Sequence, residues 1–530
     1  MRIMGNGPPA LFVHSSPANS SYVVNDMASV ADSFTCFAFD TPGFGLSDAL
    51  PGDILTVAEL ADALAETLNA IGMPPCPVFG THTGASIALE LGIRHPERVT
   101  GLILDGLASF TQAEYDGMFG DYFTKFPPDP LGGHYSALWT RFRDQSTWFP
   151  WSARSPEALN ESDLYGPGAI HRWMMMYFDA ADTYTPAYRA ALSYRDGPAQ
   201  VAALTLPAIF TAIESDMLHP HLDRIKPQLT SQEIRRVGDS LLDRRALTSE
   251  GFARFGSPGD PPIPSSIMRA TKCIVRQFVD VYDTQLLVRS VGNPADPTAL
   301  IIHDVPDDSR SVEAQMRVYS QSHFVIAFDL PGCGETPALI PADISAIANL
   351  IWRGCDAIDR SQVKLFGIGF GSSVAIEMAA QAPDRTTSLT LDGILLADAA
   401  ERDDLRAHFA PPITIDADGS HWFRTWQMIR DMGTWWPWYH PMRTNLRRVE
   451  ANYDAASLHR RTCATMQQQG LYLNIVHAAL DQNADARLSC YSGPVRCLAN
   501  SVQPLATAFN NRARSTLRQV TWIDAEKIGF

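Results

Sequence analysis

Short runs of apolar residues alternate along the chain with longer amphipathic segments, and this alternation predicts the architecture. Leu11–Val13 and Thr35–Phe39 read as strands, short apolar runs bounded by turn-forming residues. From Val57 to Ile71 the period becomes helical, with Leu60, Leu64 and Leu68 spaced four apart. Pro77-Val78-Phe79 follows as a strand, Ala88 to Arg94 as a helix stopped by Pro96, and Val99–Leu104 as another strand. The stretch from about residue 107 to 201 differs in character, being rich in Trp, Tyr, Phe and Met. Sheet-like sequence resumes at Leu206-Pro207-Ala208-Ile209-Phe210, and Glu233–Val237 reads as the last strand of the series. Short apolar strands separated by helices predict an α/β fold whose mostly parallel sheet is covered on both faces.

The same pattern is then repeated. Ala10-Leu11-Phe12-Val13-His14 returns as Ala299-Leu300-Ile301-Ile302-His303, and Phe39-Asp40-Thr41-Pro42-Gly43-Phe44-Gly45 as Phe328-Asp329-Leu330-Pro331-Gly332-Cys333-Gly334. Leu104-Asp105-Gly106 returns as Leu391-Asp392-Gly393. Several matches in one order predict a tandem duplication: lobe 1 over residues 1–256, a proline-rich linker over 257–266, and lobe 2 over 267–530. Lobe 2 differs at its front, where Val275 to Val291 predicts a two-strand hairpin with no obvious equivalent in lobe 1. That hairpin either is missing from lobe 1 or lies across both lobes.

Composition narrows the class. Lys and Arg number 42 against 58 Asp and Glu, a formal charge of −16, with no dense basic run. Nucleic acid and anionic membrane surfaces are therefore not expected as partners. The first nine residues lack a signal peptide's apolar stretch and no window reaches membrane-spanning length, so a cytoplasmic enzyme or binding protein is expected. Eight cysteines in 530 residues do not make a disulfide framework, and Cys36, Cys273 and Cys497, in apparent strands, read as reduced core thiols. With no C-x-x-C, no H-E-x-x-H and no Cys/His cluster, neither a metal nor another cofactor is expected. Nothing in the pattern commits the chain to an oligomeric state.

The chemistry centres on Phe79-Gly80-Thr81-His82-Thr83-Gly84. A strand passing through a glycine-bracketed turn into a helix is the outline of a G-x-S-x-G elbow, which lifts one side chain above the sheet. The lifted residue is His82, and in lobe 2 it is Gly369. Together with the H-x turn at His14, the D-x-P-G-x-G-x-S run from Asp40 to Ser47, and Pro96-Glu97-Arg98-Val99, this elbow resembles the α/β-hydrolase superfamily, in both copies nearly end to end. The resemblance implies two tandem α/β-hydrolase-like lobes, each with a helical, aromatic-rich cap, at about 107–201 and 394–489. It also implies an acid after the late strand, where Asp216 stands, with Asp105 as the alternative position. Two backbone oxyanion donors are implied, from Thr83 and from Ser15 or Ser16. The family's histidine belongs after the last strand, where Gly238-Asp239-Ser240 has none, so an ordinary Ser-His-Asp triad is absent. In lobe 2 Gln503 takes the place of Asp216.

The caps carry a second repeated set, His134, Trp139, Arg143, Asp144 and Trp148, returning as His421, Trp426, Arg430, Asp431 and Trp435. Such aromatics suit a flat or apolar ligand, with His134 and Arg143 as polar handles and Trp139 and Trp148 as pocket walls. They suit equally well a structural role, because lobe 2 keeps them without the rest of its site. Ser86, one turn beyond the elbow, reads first as a small packing residue and second as a nucleophile. Two functions remain open. One is a hydrolase or lyase acting on a small apolar ester, lactone or carbonyl compound, with His82 as acid–base or nucleophile assisted by Asp216 and His134 and lobe 2 non-catalytic. The other is a non-catalytic pseudo-hydrolase that binds a ligand or acts as a scaffold.

Overall fold

The computed structural model describes residues 1–118, 122–160, 163–194, 197–262, 268, 270–340 and 343–524. Of the expected linker 257–266, residues 263–266 lie outside these, as do residues 525–530 after the last strand. The chain divides into two units, Met1–Pro127 with His134–Pro264, and Pro128–Gly133 with Ser265–Phe530.

Lobe 1 is built on β1 (Arg2–Met4), β2 (Pro9–Val13), β3 (Thr35–Ala38), β4 (Cys76–Thr81), β5 (Val99–Asp105), β6 (Ala208–Thr211) and β7 (Glu233–Ile234). Their order in the sheet is β1-β3-β2-β4-β5-β6-β7, antiparallel only between β1 and β3. Strands β2, β3, β4 and β6 are buried along their whole length, since helices cover both faces. That is why they read as continuous apolar runs rather than alternating ones. The expected last strand, Glu233–Val237, is only two residues long, because β7 is an edge that pairs with β6 alone.

Lobe 2 adds β8 (Thr271–Val281), β9 (Thr284–Gly292), β10 (Thr298–Ile302), β11 (Phe324–Phe328), β12 (Val363–Ile368), β13 (Thr386–Asp392), β14 (Val495–Leu498) and β15 (Val520–Ile523). The order is β15-β14-β13-β12-β10-β11-β9-β8, antiparallel only at the β8–β9–β11 end. The predicted hairpin is β8–β9, and it pairs within this sheet, β9 standing to β11 as β1 stands to β3. Because β8 is an edge strand, Cys273 is exposed rather than a core thiol, while Cys36 and Cys497 are buried; all eight cysteines are free.

Two local devices hold the elbow in lobe 1. The helix Val57–Ala70 starts on a reciprocal capping box: the Thr56 hydroxyl accepts the Glu59 N–H at 3.2 Å, and the Glu59 carboxylate accepts the Thr56 N–H at 2.8 Å. It buries Leu60, Leu64 and Leu68, the stripe read from the sequence. After β7, the helix Leu241–Phe255 sends Arg244 inward between two carboxylates, 2.8 Å from Asp105 Oδ2 and 2.5 Å from Asp26 Oδ1. All three side chains are at least nine-tenths buried. Removing one member of such a group leaves an uncompensated buried charge, a loss of about 3–5 kcal/mol. Arg244→Met, which keeps the side-chain volume, is expected to lower stability by about that amount. Urea unfolding would measure the change, which should fall in the midpoint and not in the slope.

Candidate functional site

Between β4 and the helix Thr83–Arg94 a single residue makes the turn. His82 has φ +50° and ψ −111°, a conformation L-residues rarely hold and one that costs of the order of 1–3 kcal/mol. It is over-determined by its neighbours. The His82 N–H donates to the Asp105 carbonyl at 2.8 Å, and its own carbonyl accepts the Ala85 and Ser86 N–H groups at 2.9 and 3.2 Å. Gly84 must be glycine, because a Cβ there would overlap the Val13 carbonyl oxygen.

Aimed by this turn, the imidazole meets Asp216: Nε2 lies 2.7 Å from Asp216 Oδ2. The other carboxylate oxygen of Asp216 accepts the Leu218 N–H at 2.8 Å. The ring crosses over Gly106, where a Cβ would stand 2.5 Å from Cδ2, so glycine there is a condition of the pairing. Burial alone would push the ring toward neutrality. The charge of Asp216, its hydrogen bond and the charge of Asp105 outweigh burial and the opposing Arg244, leaving the His82 pKa above the ordinary histidine value. Burial likewise pushes Asp216 up, but His82, the Leu218 N–H and Arg244 bring its pKa below the usual carboxylate range. Asp216 is therefore an acceptor, Nε2 carries a proton, and Nδ1 is the ring nitrogen that Asp216 does not engage.

The alternative acid, Asp105, turns its carboxylate away, to Arg244 and to the Thr81 hydroxyl at 3.0 Å. Asp239, which stands where a histidine was sought, accepts from the Ser215 hydroxyl. The His82 ring is 30% accessible, and the space it faces is a chamber of about 90 Å³. Ser15, Ser16, Thr83 and Ser86 line one side of it; Tyr22, Phe110, Tyr165 and Trp173 supply aromatic walls. A wider cleft of about 580 Å³, lined in part by Asp216, shares Phe110, Phe149 and Met217 with the chamber.

Of the cap residues proposed from the sequence, His134, Trp139, Arg143 and Trp148 do not line the chamber. His134 instead lies against Tyr135 and Phe178, at ring distances of 3.9 and 6.4 Å. The helix Gly133–Thr147 reaches the chamber through Gln145, and His134 stands three turns up that helix, about 16 Å away at 1.5 Å per residue. Helical spacing in the sequence showed which residues share a helix but not which end of it meets the site. Asp144 pairs with Arg154 at 2.7 Å.

Lobe 2 holds a carboxylate in the cradle that corresponds to the oxyanion donors expected in lobe 1. Asp304, the counterpart of Ser15, accepts the N–H of Phe370 at 2.8 Å and that of Val305, while Gln503 Nε2 donates to its second oxygen at 2.9 Å. Phe370 and Val305 correspond to Thr83 and Ser16. In lobe 1 the N–H groups of Thr83 and Ser16 stand at the matching positions. The Ser15 carbonyl is engaged by the His14 ring at 2.7 Å and by the Ala18 N–H. At Gly369, φ is +55°, and any side chain would collide with the Asp304 carboxylate and Gln503. The space left around this elbow is only about 20 Å³. Among the described residues, no group of three or more His, Cys, Asp or Glu is placed to hold a metal ion, and no helix is long and apolar enough to cross a membrane.

Comparison with known proteins gives the family of the fold. The profile of the alpha/beta hydrolase fold family matches residues 8–169 and 300–423. A haloalkane dehalogenase 2 of Mycobacterium tuberculosis is 30% identical over 100 residues, 19% of this chain and 35% of that protein. A 2-hydroxymuconate semialdehyde hydrolase of Pseudomonas putida is 35% identical over 104 residues, 19% of this chain and 37% of that protein. The chain thus spans little more than a third of the length of these curated relatives. Among solved structures, epoxide hydrolase A of Mycobacterium thermoresistibile covers 48% of this chain and 92% of its own, at 18% identity and a TM-score of 0.38.

The dyad has a titration signature. Followed by NMR of the ring carbon, His82 is expected to titrate above 6.5, the ordinary histidine value. In Asp216→Asn, with the neighbouring anion removed and burial left unopposed by it, the midpoint should move down. An unmoved midpoint would mean that Asp216 does not set the charge of the ring.

Proposed function

Because the chain belongs to the alpha/beta hydrolase fold family, we propose that lobe 1 is an acyl-group hydrolase or carbonyl lyase whose acid–base is His82 and not a triad histidine. The observation that carries this reading is the 2.7 Å pairing of an elbow histidine with Asp216, its other nitrogen left to the chamber. The substrate class is a small apolar ester, lactone or carbonyl compound. In support, the chamber has aromatic walls and a volume of about 90 Å³, and the adjoining cleft offers room for a larger leaving group.

For an ester, neutral His82 takes a proton at Nδ1 from a water as the water oxygen bonds to the carbonyl carbon. The carbonyl π pair moves to oxygen, where the Thr83 and Ser16 N–H groups receive the negative charge. As the carbonyl re-forms, the bond to the leaving oxygen breaks and the imidazolium returns its proton to that alkoxide. Asp216 stabilises the imidazolium and fixes the tautomer throughout. Lobe 2 is read as non-catalytic: Gly369 offers no acid–base, Gln503 no carboxylate, and Asp304 fills its cradle.

Assays against ester, lactone and β-diketone panels test this. His82→Ala is expected to lose about 10²- to 10⁴-fold in kcat, with activity rising with pH through an inflection above 6.5 in the unsubstituted protein. Asp304→Asn is expected to leave the rate unchanged. Equal rates in unsubstituted protein and His82→Ala would leave ligand binding without catalysis as the role of the chamber.

A further inference from the structure

Two hydroxyls in the chamber have no partner. Ser86 Oγ and Ser16 Oγ are buried, their residues 1% and 5% accessible, and neither makes a hydrogen bond, although both residues line the space that His82 faces. A buried hydroxyl left unsatisfied is unfavourable, and such pairs of orphaned groups around a small polar space mark a place for a bridging molecule. The third polar group at this space is the His82 ring, whose Nε2 is held by Asp216. No hydrogen bond joins the ring to either serine, so neither hydroxyl is held against the base as a triad serine is.

We propose that Ser86 and Ser16 are positioning residues that hold the hydrolytic water against His82 Nδ1, so that the reaction proceeds without an acyl-enzyme. This rests on the reading of His82 as base. A buried water makes two to four hydrogen bonds, and Nδ1, Ser86 Oγ and Ser16 Oγ supply three. One water proton goes to Nδ1 and the oxygen lone pair forms the bond to the carbonyl carbon. The second proton stays on the water oxygen, oriented by a serine hydroxyl. The carbonyl oxygen occupies the Thr83 and Ser16 N–H groups, which Ser16→Ala leaves in place. Ser86, at the fourth residue from the elbow, is thereby a holder of water and not the substitute nucleophile.

The test uses the full chain with p-nitrophenyl acetate as probe. Ser86→Ala and Ser16→Ala are each expected to lower kcat about tenfold, the worth of one hydrogen bond, with KM and the pH inflection unchanged. The double variant should fall short of the product of the two, since both act on one water. Intact-mass spectrometry during turnover should show no acyl adduct. A crystal structure refined with solvent should show a water within hydrogen-bond distance of Ser86 Oγ and His82 Nδ1, absent from Ser86→Ala; this readout does not depend on activity. An acyl adduct abolished by Ser86→Ala, a dry chamber, or wild-type kcat in both serine variants would overturn the proposal. If His82→Ala abolishes activity while the serine variants retain it, the water site alone fails. If His82→Ala is fully active, the dyad itself fails.

Discussion

The first lobe depends on a backbone turn made by one residue. With φ at +50°, His82 can neither continue the strand nor begin the helix, and the strain is carried because its N–H and carbonyl are both held. The N–H is held by the carbonyl of Asp105, whose side chain is clamped in turn by Arg244 and Thr81. An ion pair beneath the sheet end is thus tied, through one carbonyl, to the direction of the imidazole above it.

Electrostatics in the site are a balance of two opposing effects. Burial disfavours charge on both His82 and Asp216, and their proximity is the largest effect that reverses this for each, helped by Asp105 for the ring and by the Leu218 N–H and Arg244 for the carboxylate. A histidine poised in this way can hold a proton for a leaving group or surrender it to become a base, within a narrow span of pH. The family's usual arrangement divides nucleophile and base between two elements. Here the acid reaches the elbow directly, and the position after β7 is left with Asp239, turned to Ser215.

Much of this was legible in the sequence, for reasons that also explain what was not. The sheets, their duplication and the elbow are local patterns: apolar runs, glycines at fixed spacing, a proline that stops a helix. Asp216 was legible because its distance past β6 is set by the fold. Arg244 was not, since nothing in Leu241–Phe255 says which basic residue turns inward to Asp105, far earlier in the chain. The chamber walls Tyr22, Gln145 and Trp173 come from three separate segments and meet only in the folded lobe. His134 was misplaced because periodicity gives the face of a helix and not which turn of it approaches the site. No pattern in the sequence marks Asp304; its geometry shows it accepting two backbone N–H groups.

That carboxylate has a consequence for how this chain can diverge. Asp304 and a side chain at position 369 exclude each other, since both would occupy the same volume. A side chain on the second elbow therefore requires Asp304 to change first. The two positions form a ratchet: the glycine and the aspartate protect one another, and a single substitution at the elbow meets a collision.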